Sequence, residues 1–142
     1  MATIKLVADY AVEPCIGCKL CDIVCPSGAI KMEARKPVID DALCIGCGRC
    51  VDRCPEDIMW MKERAEPLVT TVHPDEVDQA AVTALLEKAG IEAAMSVCVC
   101  TLTPGSEIAA SIIKGAKNLE EVCAATGMRS GCGIYCVAPA LR

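Results

Sequence analysis

Thirteen cysteines in 142 residues are the groups on this chain best able to do chemistry, and eight of them fall into two runs of identical spacing. Each run reads C-x2-C-x2-C-x3-C-P: Cys15, Cys18, Cys21 and Cys25 before Pro26, then Cys44, Cys47, Cys50 and Cys54 before Pro55. Thiolates are soft ligands, and closely set groups of four suit a soft metal or a metal–sulfur centre. A disulfide framework needs an oxidising compartment, whereas Met1 to Glu13 lacks the basic n-region and continuous apolar h-region of a secretory leader. Structural zinc sites use two ligand pairs across a longer spacer. A third cysteine close by and a fourth before proline add nothing to a zinc tetrahedron. Buried free thiols have no reason to recur twice at fixed spacing. The remaining chemistry is that of iron–sulfur centres, which carry electrons one at a time.

Such loops need elements to hold them, and the chain supplies these as an internal repeat. Cys15 to Ile30 reads CIGCKLCDIVCPSGAI, and Cys44 to Ile58 reads CIGCGRCVDRCPEDI. Each half is expected to give a loop, a short helical turn after the proline, and a flanking strand. The candidate strands are Ile4–Tyr10 and Met59–Glu63, with a hairpin formed by Ile30–Glu33 and Pro37–Ile39 between them. Gly17, Gly46 and Gly48 lie inside the loops, where backbone must approach an inorganic core closely. Pro26 and Pro55 are expected to fix the exit direction of the chain.

Over residues 1–65 the chain therefore resembles a two-cluster bacterial-type ferredoxin. That resemblance implies two [4Fe-4S] clusters with crossed ligands, because the cysteine before each proline serves the neighbouring cube. Cys15, Cys18, Cys21 and Cys54 would hold the first cluster, and Cys44, Cys47, Cys50 and Cys25 the second.

A linker is expected at Ala65–His73, where Pro67 and a Val-Thr-Thr-Val run interrupt the repeat. A helix is expected from Pro74, with Asp75 and Glu76 in its first turn and Gly90 closing it; Val77, Ala81, Leu85 and Val82, Leu86, Ala89 recur at helical spacing. His73, the single histidine, reads as an exposed cap residue and not as a ligand. Beyond it, Cys98, Cys100, Cys132 and Cys136 bracket two expected helices. One runs from about Thr103-Pro104 to Gly115, and the other is capped by Asn118 with Glu121 and ends at Gly127. Four thiolates brought together by a helical hairpin suit either zinc or [2Fe-2S], and spacing alone leaves both open.

From about Val97 to Cys136 the chain is similar to the bacterioferritin-associated-ferredoxin type of [2Fe-2S] domain. The likeness rests on C-x-C at Cys98 and Cys100, a helix–turn–helix, and Gly131-Cys132-Gly133 followed by Cys136. Here the motif closes as C-x3-C, one residue longer than in that family. The resemblance implies a [2Fe-2S] cluster on Cys98, Cys100, Cys132 and Cys136. Cys123, the thirteenth cysteine, reads as a buried core thiol, with a role in place of Cys136 as the alternative. The expected fold class is α+β in two small modules. A ferredoxin-like two-cluster fold (1–65) and a mainly helical [2Fe-2S] helix-turn-helix domain (96–142) are joined by a linker and bridging helix (66–95).

Phe is absent, and Trp60, Tyr10 and Tyr135 are the only aromatics, so metal ligation is expected to supply stability that aromatic burial does not. A net charge of −5 argues against a nucleic-acid partner. No apolar run has the length of a membrane span, and the location expected is cytoplasmic. No Rossmann glycine fingerprint or Ser/His/Asp constellation is present, so the chain reads as a non-catalytic subunit of an oxidoreductase. The pairing of two cluster types resembles the small electron-transfer subunit of multi-subunit FAD-dependent dehydrogenases of the amino acid, amine or glycerol 3-phosphate type. That resemblance implies FAD-binding partner subunits in a hetero-oligomer, with FAD or FMN on those subunits alone. A free diffusible ferredoxin and a docking module for an iron-storage protein are the alternatives. Substrate, direction of electron flow and stoichiometry are not written in this chain.

Overall fold

The computed structural model describes residues 2–70 and 72–142; Met1 of the expected first module and Thr71 of the expected linker lie outside the described residues. The architecture is α+β, with short helices and three two-stranded antiparallel sheets. β1 (Ala2–Tyr10) pairs with β4 (Met59–Thr70), β2 (Ile30–Glu33) with β3 (Lys36–Ile39), and β5 (Ser96–Cys98) with β6 (Thr103–Pro104). The β2–β3 hairpin turns on Ala34 and Arg35, both at positive φ (45° and 66°), the backbone hand that matches strand twist in a two-residue turn.

The helical turns of the repeat come before the prolines and not after them. α1 (Leu20–Val24) and α2 (Arg49–Arg53) each occupy the stretch between the third and fourth cysteine of a motif. A proline ring disfavours helical backbone in the residue before it. Cys25 and Cys54 are accordingly extended, at ψ 114° and 115°, and each helix stops there. Both helices are entered through a left-handed residue at the same repeat position, Lys19 (φ 66°) and Gly48 (φ 72°). Only the second motif has a residue suited to that conformation. Lys19→Gly is expected to raise stability by ~1 kcal/mol, and Gly48→Ala to lower it by a similar amount. Urea midpoints of the iron-loaded protein, taken anaerobically, check both.

β4 runs through much of the expected linker. Its register against β1 jumps from Leu6↔Glu63 to Ile4↔Leu68, so that Arg64, Ala65, Glu66 and Pro67 bulge opposite Lys5 alone. A bulge tolerates a residue that cannot donate to the ladder, which explains how Pro67 sits inside a strand. The expected bridging helix also starts late. Pro74–Glu76 form a single 3₁₀ turn with exposed His73 at its cap position, Val77 is extended, and Asp78 Oδ1 accepts from the Ala80 amide at 3.1 Å. That cap begins α3 at Gln79–Ala89, and Gly90 (φ 66°) ends it as expected.

α4 (Gly105–Ile113) and α5 (Leu119–Thr126) form the C-terminal hairpin, followed by a last turn, α6 (Val137–Ala140). Asn118 Oδ1 accepts from the Glu121 amide at 2.9 Å, while Glu121 Oε2 accepts from the Lys117 amide at 2.8 Å, a reciprocal cap. Three core clusters result among the described residues, and thiols belong to two of them. Val7, Ala8, Ala29, Ile30, Ile58 and Met59 surround Cys21, Cys44 and Cys50. Val97, Ile108, Val122 and Met128 surround Cys98, Cys123 and Cys136, while Val82 and Leu86 of α3 pack on Ala109. Among the described residues no helix is long and apolar enough to cross a membrane.

Candidate metal centre

The repeat brings the first eight cysteines to two cavities, and each cavity takes cysteines from both motifs. Cys15, Cys18, Cys21 and Cys54 line one, with Ile16, Met32, Ile58 and Met59 in its wall. Cys25, Cys44, Cys47 and Cys50 line the other, with Ala8, Ile30, Ile45 and Met61. The extended backbone at Cys25 and Cys54 carries the fourth thiol out of its own loop and across α1 and α2, which pack on each other. Among the described residues no three His, Cys, Asp or Glu side chains close on one point as a single ion requires. The thiols stand instead around two apolar hollows. Four thiols around an apolar hollow fit a polynuclear centre that brings its own sulfides.

Each loop is tied at its start by a cation. Lys36 Nζ donates to the carbonyls of Val12 (2.8 Å) and Cys15 (3.1 Å) and meets Glu13 Oε1 at 3.1 Å. Arg64 Nη2 donates to the carbonyl of Cys44 at 2.7 Å and to that of Asp41. The two cations are equivalent in the repeat, because the second motif is one residue shorter after its proline. Arg64 is the first residue of the β4 bulge, so the bulge that absorbs Pro67 also contains the loop clamp. Arg64→Met removes charge-assisted bonds to two carbonyls and is expected to cost about 2 kcal/mol. Iron release to a chelator should accelerate from the Cys44 side, while Lys36→Met accelerates it from the Cys15 side.

Two of the three loop glycines, Gly17 and Gly46, lie against neighbouring backbone, whereas Gly48 has open space beside it. A Cβ on Gly17 would lie 2.8 Å from the Arg35 carbonyl oxygen, and one on Gly46 would lie 2.9 Å from that of Leu6. Both residues also hold positive φ. The β2–β3 turn and β1 press on the loops at these two positions, and the positive φ requires glycine there as well.

Burial pushes the Cys21 thiol up, and Cys18 and Cys15 beside it add to the effect. Cys47 is raised in the same way, with Cys25 and Cys44 as its thiol neighbours. Burial, reinforced by Cys47, Cys44 and Cys25, takes Cys50 up to about 12. Such thiols keep their protons until a cation replaces them, so metal loading must release protons here. The backbone amides of Asp22, Arg49 and Val51 pull the other way and offset part of the rise at Cys21, Cys47 and Cys50.

The C-terminal cysteines meet as two pairs. The Cys132 amide donates to Cys100 Sγ at 3.4 Å, and Gly131 lies so close that a Cβ there would be 2.5 Å from the Cys100 Cβ. Cys136 lies beside Cys98, and the two thiols perturb each other's titration. Burial raises Cys98, but the Thr101 hydroxyl, the Arg129 and Thr101 amides and the Cys136 thiol outweigh it, leaving Cys98 below its usual value. Cys136 is pushed up to about 11 by burial and by Cys98. The Ile134 and Tyr135 amides lower Cys132. Cys123 is 0 % exposed on α5, behind Cys98 and Cys136, and burial pushes it up to about 12. Cys100 and Cys132 are exposed.

Lys36, Arg64 and the short β5–β6 pair are parts of these sites that the motif reading passed over; aligning the repeat beyond its prolines is the signal that finds the two cations. No curated protein matches the chain. The family model for the 4Fe-4S dicluster domain matches residues 14–84, half of the chain, from just before Cys15 into α3. With an iron–sulfur electron-transfer role and at least one [4Fe-4S] cluster, the chain belongs to the 4Fe-4S dicluster domain family.

Proposed function

We propose that Cys15, Cys18, Cys21 and Cys54 hold one [4Fe-4S] cluster, that Cys25, Cys44, Cys47 and Cys50 hold a second, and that Cys98, Cys100, Cys132 and Cys136 hold a [2Fe-2S] cluster. The observation that carries this reading is the pair of apolar cavities, each walled by three cysteines of one motif and the last of the other. The two thiol pairs at the C-terminus suit two irons with two thiolates apiece. When bound, these clusters supply one-electron carriage. The chain's own residues keep the sites apolar, aim amides at sulfur, and pin each loop through Lys36 or Arg64.

Flavins exchange electrons in pairs, so linked one-electron sites in one chain serve to part those pairs. On this reading the chain is the non-catalytic relay subunit of a cytoplasmic, multi-subunit flavin dehydrogenase. It stands between FAD-binding partners, with FAD or FMN on those partners alone and the substrate theirs to choose. Its modules are 1–65, 66–95 and 96–142. Anaerobic purification from the native source, with iron, sulfide and flavin analysis and EPR after reduction, tests this. The expected result is about ten irons per chain with flavin subunits co-eluting. About eight irons, with zinc or free thiols at the C-terminus, would remove the third cluster. An iron-replete chain that elutes without flavin, alone or on a ferritin shell, would overturn the relay.

A further inference from the structure

The two motifs are near copies, so each position in one is a control for the other. At the first residue of the short helix, the first motif has Leu20 and the second has Arg49. Leu20 brings no hydrogen-bonding group. Arg49 is half-buried, and its Nη1 donates to the Gly131 carbonyl at 3.1 Å, 82 residues further along the chain. The guanidinium also lies against Gly133 (φ +70°), where a Cβ would stand 2.1 Å from Nη1 and 2.8 Å from Cζ. The loop carrying Cys132 is therefore held from two directions, by Cys100 and by Arg49.

Two further placements lie beside the Cys25, Cys44, Cys47 and Cys50 set, one in each motif. Ile45, between Cys44 and Cys47, shares a hollow with Thr101, Leu102 and Thr103. Gly28, three residues after Cys25, sits against Glu120 of α5. The walls of both cysteine cavities come from the first 61 residues, so it is the side chains around them that reach the C-terminal segment.

We infer that Arg49 is a positioning residue that locks the Cys132 loop onto the Cys44 motif. It makes the C-terminal thiols direct neighbours of the Cys25, Cys44, Cys47 and Cys50 set, and leaves the Cys15, Cys18, Cys21 and Cys54 set as the far end of the electron path. The electron-path half of this inference rests on the ligand sets proposed above. Each transfer moves one electron, oxidising one set and reducing its neighbour, with dithionite as the reductant in the test. The guanidinium takes no part in the redox change.

The test uses the full chain, loaded anaerobically with iron and sulfide, as wild type, Arg49→Met, Arg49→Lys and Leu20→Met. Amide exchange over residues 130–135 reads the lock, and microwave power saturation of the reduced C-terminal EPR signal reads its neighbour. Arg49→Met is expected to keep its iron, to exchange about tenfold faster in that loop, and to lose fast relaxation of the signal. Arg49→Lys should recover part of both effects, and Leu20→Met should change neither. Gly133→Ala, which displaces the guanidinium from the other side, should act as Arg49→Met does and covers the case in which that variant fails to load. Unchanged exchange and relaxation in an iron-replete Arg49→Met chain would overturn the inference. So would relaxation that disappears in Cys54→Ser, because the neighbour would then be the Cys15 set. A wild-type chain without C-terminal iron would sink the ligand assignment instead, and the exchange comparison would still decide the lock.

Discussion

Cys54→Ser is expected to empty the site at the opposite motif. The protein should lose the iron held with Cys15, Cys18 and Cys21 and keep that held with Cys44, Cys47 and Cys50. Cys54 follows Cys50 closely in sequence, yet it lines the cavity of the first three cysteines. Its extended backbone, imposed by Pro55, carries the thiol out of its own loop. A serine oxygen is a harder, weaker ligand for iron than a thiolate. The loss should be about four irons per chain, and the coupled EPR spectrum of two cubes should become that of one. Because ligation is part of the folding free energy, the thermal midpoint should fall as well. Cys25→Ser is the mirror experiment and should spare the Cys15 site. Loss of the Cys44 site in the Cys54 variant would rule out crossed ligation.

What the sequence made legible follows from which constraints are local. The motif spacing is local, because ligands of a compact centre have to follow one another at fixed intervals. The C-terminal helices were equally readable, since Asn118 with Glu121 and the glycines at 115 and 127 mark their ends within one turn. The extent of β4 was not. Pro67 reads as a break because a proline cannot serve a ladder, and only the pairing with β1 reveals the bulge that accommodates it. Pro74 and its acidic neighbours mimic a first helical turn, while the Asp78 cap that starts α3 lies four residues later. The proline's restriction on the residue before it ends each helical turn ahead of Pro26 and Pro55, where the repeat pattern alone suggests a turn after them. Arg49 and Gly131 hold the long-range contact least open to sequence reading. Its one trace is the substitution of Leu20 by Arg49 between otherwise similar repeats, which has meaning only once residue 131 is known to lie nearby.

Cys98→Ser and Cys123→Ala should separate ligation from packing at the C-terminus. Both thiols belong to one core, and both lie near Cys136. Cys98 differs in its surroundings: the Thr101 hydroxyl and the Arg129 and Thr101 amides favour its thiolate, the form that binds metal. Cys123 is fully enclosed on α5 among Val97, Ile108 and Met128, and burial holds it as a neutral thiol. Cys98→Ser is therefore expected to abolish the C-terminal iron signal and leave both cubes intact. Electron transfer to a flavin partner should be lost with it, and unchanged coupled activity would remove this site from the relay. Cys123→Ala should keep the signal and cost about 1 kcal/mol for the lost sulfur contacts. Cys123→Ser should cost more, up to about 3 kcal/mol, because an enclosed hydroxyl needs a partner that a thiol does not. Iron content and denaturation midpoints on the same preparations distinguish the two effects. Loss of the signal in Cys123→Ala, with its survival in Cys136→Ser, would transfer the fourth ligand to Cys123 and make the extra residue between Cys132 and Cys136 the reason.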